Sequence, residues 1–358
     1  MTRTRKEIQA AQAKSDASDA GLRYVNADQP GIRRLRVGKG FKYLDAKDKV
    51  VNDPETLVRI RNLVIPPAWE NVWICPASNC HIQAIGWDAR GRKQYRYHAR
   101  WREVRDADKY SHIIDFARAL PRIRKTVARH LSRKGLPREK VLAAVVRIME
   151  KTLIRVGNDE YARNNRSFGL TTMRDRHAKV RGKRVVFEFR GKSGVEHEID
   201  FEDERLARIV RKCQDLPQQE LFAYVNGDGK QRDVGSSDVN DYLRHISGAD
   251  FTAKDFRTWA GTVLAAMALQ ESKKFDSKIA AKRNVKTAIE KVAKRLGNTQ
   301  TVCRKCYVHP DVIDSYLDGT LAKRLGKLAG KQLERGGLRA EEAAVLGLLR
   351  SRLARGGR

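Results

Sequence analysis

The chain has 358 residues, enough for about two domains, and carries 74 Lys and Arg against 43 Asp and Glu, a formal net charge of +31. So much positive charge repels itself unless it faces a polyanion, which favours a nucleic acid as partner and leaves an anionic membrane as the alternative. No run of roughly 18 apolar residues is present to span a bilayer and the N-terminus has no apolar signal core, so we expect a soluble intracellular protein.

The first part of the chain predicts a small β-rich domain. Residues 1–21 are polar and poor in apolar side chains, which predicts a flexible basic arm. Over residues 22–105, the segments "RRLRVGKGFKYLDAKDKVV" and "HIQAIGWDARGRKQYRYH" each alternate around turn residues, as two paired strands do. One helix is predicted between them, with Asp53 as its cap, Pro54 at its first position and an end before Pro66.

Residues 106–320 predict a second, mainly helical domain. Pro121 and Pro137 each predict the start of a new helix. In the second of these helices, apolar residues recur at helical spacing and the pattern stops near Gly157. This interpretation puts Arg155 at the C-terminal end of a helix.

A short β region interrupts the helical pattern. The segment "HAKVRGKRVVFEFRGKSGVEHEIDF" predicts three strands, and Lys192 falls in the second of the two turns that join them. Helices resume near Glu204 and continue, with one loop near Asn226, to the end of the chain. Residues 321–358 are basic and amphipathic, which predicts a basic helical tail.

The cysteines and a lysine-containing turn raise the question of a metal or cofactor. Cys303 and Cys306 form a CxxC pair, but a structural zinc site needs four ligands, and Cys75 and Cys80 are a poor second pair with a proline between them. The stretch "RGKSG" fails as an ATP-binding loop because Val186 stands where its first glycine belongs. We therefore expect no cofactor and no metal. Five cysteines, an odd number, favour free thiols in a reducing compartment.

A few basic residues stand out from the many that solvation or phosphate contacts explain. They are Arg155 at the predicted helix end, Lys192 in its turn, and Arg257 with Lys254 on the same helix face. Catalysis of phosphodiester transfer is mainly charge stabilisation and positioning by such groups. Tyr307 follows two cations and could supply a nucleophile, because a nearby positive charge favours the phenolate.

Several motifs, in order, resemble one family. The segments "LIRVGNDEYARNNRSFGLTTMRDRH", "FRGKSG", "KDFRTWAG" and "LGNTQTVCRKCYVHP", with "GRKQYRYH" before them, are similar to type IB DNA topoisomerases of the compact poxvirus and bacterial form. The resemblance covers roughly residues 25–320 and implies an α+β fold. It has a small β-rich N-terminal DNA-binding domain and a mainly α-helical catalytic domain, of the type IB topoisomerase and tyrosine recombinase fold, that carries a small three-stranded β-sheet.

The resemblance also implies catalytic roles. Tyr307 would attack a DNA phosphodiester and form a 3′-phosphotyrosyl link, which lets the free strand swivel before it is rejoined. Arg155 and Arg257 would hold the nonbridging oxygens, Lys192 would act as general acid to the 5′-oxygen, and Lys254 would assist that proton transfer. Neither ATP nor metal is needed in this family.

Other implied properties concern DNA contact and cellular context. Gln94, Tyr95 and Tyr97 look like groove and phosphate contacts of the N-terminal domain, and Tyr161 matches a further DNA-contacting tyrosine. The partner would be double-stranded DNA, bound by a monomer without an obligate protein partner. The stretch "CRKCYVHP" and the Arg- and Ala-rich composition favour a bacterial source, hence the cytoplasm and nucleoid.

Two positions depart from the poxvirus pattern. Asn298 stands where those enzymes have a histidine, so it can donate a hydrogen bond to a phosphoryl oxygen but cannot take up a proton near neutral pH. Asn158 replaces a lysine that contacts DNA bases, which leaves the preferred cleavage sequence open.

Two other classes of protein compete with this interpretation. A tyrosine site-specific recombinase shares the catalytic fold, but recombinases have HxxR where this chain has Lys254 and Arg257, and they have a helical domain in place of the β-rich one. A non-enzymatic architectural DNA-binding protein would explain the charge, but not four separated motifs in order.

Overall fold

A computed structural model describes residues 5–217, 219–272, 275–332 and 337–356. The chain forms two compact units, Met1–Ser111 and His112–Arg358. The sequence puts the border at residue 105. In the described ranges, no helix is both long and apolar enough to cross a membrane.

The first unit is built on one antiparallel sheet of five strands in the order β2-β1-β3-β4-β5. The strands are β1 (Ile32–Val37), β2 (Gly40–Leu44), β3 (Glu70–Ile74), β4 (Ile82–Trp87) and β5 (Lys93–Tyr97). Both predicted hairpins are confirmed, and so is helix α2 (Pro54–Asn62), whose first turn Asp53 caps by accepting from the Thr56 amide at 2.8 Å. Strand β3 was not predicted, because its five residues are too few to reveal an alternating pattern.

The N-terminal segment is helical. In place of the predicted flexible arm, Arg5–Asp19 form helix α1. Ala17 of this helix is fully buried and packs with Leu22 and Trp101. The alanines of this segment are strong helix formers, and Ala17 provides a packing contact.

One cysteine pair differs from the expectation of free thiols. Cys75 and Cys80 form a disulfide, whereas Cys213, Cys303 and Cys306 are free. The chain between β3 and β4 folds back on itself. The side-chain amide of Gln83 holds this loop, because its Nε2 donates to the carbonyl oxygen of Cys80 at 2.7 Å and to that of Ser78 at 2.8 Å. This tight loop brings the two sulfur atoms together.

The second unit is mainly helical around one core. Its helices are α3 (Ala99–Leu131, which begins in the first unit), α4 (Arg138–Thr152), α5 (Asp159–Asn165), α6 (Glu204–Gln214), α7 (Ser236–Ser247), α8 (Ala253–Gln270), α9 (Lys278–Leu296), α10 (Gln300–Tyr307), α11 (Pro310–Leu317), α12 (Leu321–Gln332) and α13 (Ala340–Gly356). The three-stranded antiparallel sheet β6 (Ala178–Arg181), β7 (Arg184–Arg190) and β8 (Glu196–Glu202) is confirmed. The loop predicted near Asn226 is the turn of a further hairpin, β9 (Ala223–Val225) and β10 (Gln231–Asp233).

Two predicted helix boundaries are wrong. Helix α3 continues through Pro121, which packs against the backbone at Gly337. Helix α4 follows Pro137 as predicted but ends at Thr152, where Leu153 takes a left-handed conformation and its amide donates to the Met149 carbonyl. Arg155 therefore lies in an extended segment beyond the helix and not at its end.

The C-terminal residues form part of the core. Leu325 of α12 and Val345 and Leu348 of α13 are buried in the main hydrophobic cluster. Glu342 of α13 pairs with Arg124 of α3 at 2.7 Å. The predicted basic tail is helical as expected, but these helices are packed onto the rest of the unit.

Candidate active site

A cavity of about 320 Å³ in the second unit brings together five of the six predicted catalytic residues. It is lined by Arg155, Lys192, Lys254, Arg257 and Tyr307, together with Val156, Gly157, Asn158, Ser167, Phe168 and Ala253. The sixth residue, Asn298, forms a hydrogen bond with the side chain of Arg155. The residues come from four separate parts of the sequence, and only the fold makes them neighbours.

The backbone of Arg155 is fixed by a second chain segment. The carbonyl oxygen of Arg155 accepts from the Leu170 amide at 2.9 Å, and that of Val156 accepts from the Thr171 amide at 2.7 Å. The two segments touch at Gly169, where an added Cβ would lie 2.6 Å from the Arg155 carbonyl oxygen. Side chains larger than hydrogen are therefore excluded at this crossing.

The side chain of Arg155 forms a hydrogen bond with Asn298. Its Nη2 donates to the Gly297 carbonyl at 2.9 Å and to Oδ1 of Asn298. Asn298 is held just beyond α9. Gly297 ends the helix in a left-handed conformation, and the backbone amide of Asn298 donates to the Ala293 carbonyl at 2.9 Å. Nδ2 of Asn298 is buried and makes no hydrogen bond to any described residue. The side-chain amide that accepts from Arg155 therefore has its own N–H donors unused.

Arg257 is the most deeply buried charge of the site, with 4% of its surface exposed. It donates to the carbonyl oxygen of Leu153, and its Nη2 donates to that of Leu296 at 2.7 Å. These bonds tie the end of α4 to the end of α9. Burial and the charge of Arg155 lower the pKa of Arg257 to about 10, so the guanidinium is still protonated at neutral pH. Burial also lowers the pKa of Arg155.

Tyr307 is the last residue of α10 and lies beside Arg257, whose Cζ is 5.3 Å from the centre of the tyrosine ring. The Tyr307 carbonyl accepts from the Thr262 hydroxyl of α8 at 3.4 Å. Helices α8 and α10 approach closely at Gly261, where an added Cβ would lie 2.6 Å from that carbonyl oxygen. The position of the tyrosine thus depends on a residue with no side chain.

The two lysines are held differently from the arginines, since both are exposed. Lys192 begins the turn between β7 and β8, which is closed by the Gly191 amide donating to the Val195 carbonyl at 2.7 Å. Lys254 lies in the first turn of α8, where Asp255 accepts from the Thr252 amide at 2.7 Å. In both cases hydrogen bonds fix the backbone while the side chain is exposed.

The predicted DNA-contact residues lie elsewhere in the chain. Tyr95 and Tyr97 project from one face of β5, with ring centroids 5.7 Å apart, and are 40% and 37% exposed. Gln94 alternates to the opposite face, where its amide donates to Asp88 at 3.0 Å. The side chain of Tyr161, in α5, lies outside the described residues.

The two cysteines of the CxxC stretch, Cys303 and Cys306, are both free thiols. In the part of the chain that the structure describes, no group of three or more His, Cys, Asp or Glu could hold a metal ion. Cys303 is fully buried, and burial raises the pKa of its thiol to about 11. A thiol held in that form is a poor metal ligand, because metals bind the thiolate.

Sequence reasoning missed two residues at the site. Gly261 stands in the quoted segment "KDFRTWAG", but nothing in a helix pattern marks a close contact with a distant helix. His197 lies opposite Phe189 in the β7–β8 pairing, and its ring contacts the turn that carries Lys192. The strand register would have placed His197 near that turn, had the hairpin been aligned residue by residue.

Comparison with known proteins identifies the family. Residues 98–328 match the family model described as eukaryotic DNA topoisomerase I, catalytic core, and residues 40–88 match that of the bacterial DNA topoisomerase IB, N-terminal domain. DNA topoisomerase 1B of Acanthamoeba polyphaga mimivirus is 31% identical over 295 residues, which is 80% of this chain and 87% of that protein.

More distant relatives agree with this assignment. DNA topoisomerase 1B of vaccinia virus (strain Copenhagen) is 21% identical over 236 residues, 65% of this chain and 72% of that protein. DNA topoisomerase 1 of Mycosarcoma maydis is 22% identical over 284 residues, 70% of this chain and 27% of that protein. The chain is an enzyme of the DNA topoisomerase class and belongs to the type IB family. Within this family, its N-terminal domain and viral relatives group it with the compact poxvirus and bacterial form.

Proposed function

We propose that the protein relaxes supercoiled duplex DNA by cutting and rejoining one strand through Tyr307, without ATP or metal. The observation that carries this proposal is the arrangement of Tyr307 beside Arg257, in one cavity with Arg155 and Lys192. This set combines a nucleophile with three positive charges, which is what transfer of a phosphodiester requires.

In the proposed cleavage step, the Tyr307 oxygen bonds to phosphorus and the bond from phosphorus to the 5′-oxygen breaks. The tyrosine proton passes to solvent. Negative charge builds on the nonbridging oxygens, where Arg155 and Arg257 would stabilise it. Asn298 would add its free Nδ2 donor, since Arg155 already occupies Oδ1.

The leaving 5′-oxygen needs a proton, and we assign its donor to Lys192. Its side chain is exposed on a turn that lines the cavity, so it can reach a substrate that Arg155 and Arg257 hold. Lys254 lines the same cavity and would assist the transfer. Rejoining reverses these steps: the 5′-hydroxyl attacks phosphorus, the link to Tyr307 breaks, and Lys192 recovers its proton.

Binding to duplex DNA would use both the net charge and the exposed aromatic side chains of the first unit. Tyr95 and Tyr97 would contact the DNA from one face of β5, and Gln94 and Tyr161 are further proposed contacts. We expect the protein to act as a monomer, bound to the bacterial nucleoid in the cytoplasm. Gel filtration with light scattering, with and without a short duplex, tests the monomer.

Relaxation of a supercoiled plasmid in EDTA, without ATP, tests the proposed activity. We expect the wild-type protein to relax a plasmid that contains no recombination sites, and Tyr307→Phe to bind it without relaxing it. A tyrosine recombinase would leave such a plasmid supercoiled, and an architectural protein would constrain the supercoils without a nick. A requirement for ATP or a divalent metal would contradict the proposal.

A further inference from the structure

The imidazole of His197 fills a narrow gap between two backbone segments. It stacks on the ring of Phe189 at a centroid distance of 5.1 Å. A Cβ added to Gly191 would lie 2.5 Å from Cδ2 of the imidazole, and one added to Gly297 would lie 2.7 Å from Cε1. The ring is therefore in contact with two glycines from distant parts of the sequence.

These two glycines adjoin residues of the proposed active site. Gly191 precedes Lys192 in the β7–β8 turn, and Gly297 precedes Asn298. The carbonyl of Gly297 also accepts from Arg155 at 2.9 Å. His197 is thus a spacer between the turn that carries the lysine and the segment that positions the arginine and the asparagine.

Positive charges surround the ring. His197 lines a small cavity together with Arg155, Lys192, Arg257 and Arg295. Burial lowers the pKa of His197, the charges of Arg155 and Arg257 lower it further, and Glu196 opposes them only in part. The imidazole is therefore neutral at neutral pH, and protonation in acid would add a cation among four others.

We propose that His197 is a positioning residue. It sets the distance between the turn that carries Lys192 and the segment that holds Arg155 and Asn298. This inference rests on the proposed function, because it takes Lys192 as the general acid. The neutral ring keeps the lysine within reach of the leaving 5′-oxygen. It does not touch the DNA and does not exchange protons with it.

Single-turnover cleavage of two substrates tests this role. One is an ordinary duplex, and the other has sulfur at the 5′-bridging position of the cleaved bond, whose thiolate leaves without protonation. General acid catalysis typically contributes about 10² to 10⁴ in rate. Because His197→Ala displaces the acid without removing it, we expect this variant to slow cleavage of the ordinary substrate by only about 10- to 100-fold, and to slow the sulfur substrate much less. Equal slowing of both, or no slowing, would overturn the proposal.

Lys192→Ala separates a failure of this inference from a failure of the proposed function. If sulfur rescues Lys192→Ala but not His197→Ala, the lysine is the acid and His197 does not position it. If sulfur rescues neither variant, the assignment of Lys192 as the acid is wrong and the inference falls with it. Rescue of both supports both.

Two further variants keep the test informative if His197→Ala folds poorly. His197→Phe preserves the aromatic stack without a titrating group, so we expect it to recover most of the cleavage rate. We also expect its rate not to show the fall at acid pH that protonation of His197 would cause in the wild type. Gly191→Ala should push the ring aside and slow the ordinary substrate, while adding His197→Ala to it should cause little further loss. Independent, multiplying effects of Gly191→Ala and His197→Ala would contradict a shared contact.

Discussion

At the residue scale, five of the six catalytic candidates proposed from the sequence line one cavity, but the sequence did not predict the hydrogen bonds between them. The six catalytic candidates were recognised from local motifs, because each motif keeps its spacing within one segment. That Arg155 occupies one end of the Asn298 amide, or that Arg257 bonds to Leu153 and Leu296, depends on contacts between residues more than 30 positions apart. No local pattern records such contacts.

Asn298 provides the first prediction. Its unpartnered Nδ2 resembles an oxyanion-hole donor, and loss of one such donor typically costs about 10² to 10³ in rate. We expect Asn298→Ala to slow single-turnover cleavage in that range, whereas Asn298→His should retain much of the activity because its ring also offers an N–H. When rates are measured from about pH 5 to 9, only Asn298→His should show an added pH dependence that comes from titration of the new histidine. Wild-type speed in Asn298→Ala would mean that this amide does not contact the transition state.

Gly261 provides the second prediction. In Gly261→Ala the new methyl group meets the Tyr307 carbonyl at 2.6 Å, so α10 must shift and carry the tyrosine away from Arg257. We expect cleavage to slow by at least about 10²-fold, the scale that a 1 Å misplacement causes, with DNA affinity nearly unchanged.

A matched control is Gly326→Ala in α12, where no described atom outside the neighbouring helix backbone lies within 4 Å of the added Cβ. It should leave cleavage unchanged and stabilise the protein by roughly 0.5 to 1 kcal/mol, because alanine favours helix. If the two variants cleave alike, the contact between α8 and α10 does not set the position of Tyr307.

At the element scale, turn and capping residues predicted the positions of elements better than helical periodicity predicted where helices end. The β7–β8 hairpin and α2 follow from glycines, a proline and a capping aspartate, each with a local physical effect. Helix α4 stops at Thr152 because Leu153 adopts a left-handed conformation that its sequence does not favour, while Arg257 bonds to its carbonyl. Such a stop is set by tertiary contacts, so periodicity extended the helix too far and misplaced Arg155.

The attachment of α13 gives an element-scale prediction. Arg124 donates to Glu342 of α13 at 2.7 Å and to Glu150 at 2.6 Å, and all three side chains are at most 15% exposed. Arg124→Ala leaves two buried carboxylates without this partner, so we expect a loss of about 3 kcal/mol in unfolding free energy. Arg118→Ala, which breaks an exposed pair with Asp115, should cost at most about 1 kcal/mol. Equal midpoints in urea for both variants would contradict the account of this attachment.

The same pair has a pH dependence. Burial alone would raise the pKa of Glu342, but the hydrogen bonds from the Arg124 side chain and the Arg339 backbone amide, together with the charges of both arginines, outweigh this and leave the pKa below its ordinary value. A carboxyl with a lowered pKa stabilises the folded state above its unfolded pKa of about 4.3, and this stability is lost as the pH falls through the folded value. We expect the urea midpoint of the wild type to fall in that acid range more steeply than that of Glu342→Gln.

At the scale of the whole molecule, the net charge of +31 sets how the protein meets DNA. Composition alone predicted a polyanionic partner, and the change from strand patterns to helix patterns predicted two domains, whereas the residues that form the core of each unit required the structure. Each neutralised phosphate contributes about 0.9 to the slope of log affinity against log salt. With about six to ten phosphate contacts, affinity should fall by roughly 10³ to 10⁵ between about 50 and 200 mM salt, as titration of a fluorescent duplex would measure. A slope near zero would contradict electrostatic binding.

The central claim is that Tyr307 becomes covalently joined to DNA during the reaction. The most direct measurement mixes the protein with a duplex labelled next to the 3′-phosphate of the cleavage site, stops the reaction with detergent, and separates the products on a denaturing gel. We predict a labelled protein–DNA adduct that forms in EDTA, whose modified peptide contains Tyr307, and no adduct from Tyr307→Phe, although that variant binds the duplex as tightly as the wild type. An adduct of undiminished yield from Tyr307→Phe, or attachment at any other residue, would contradict the account.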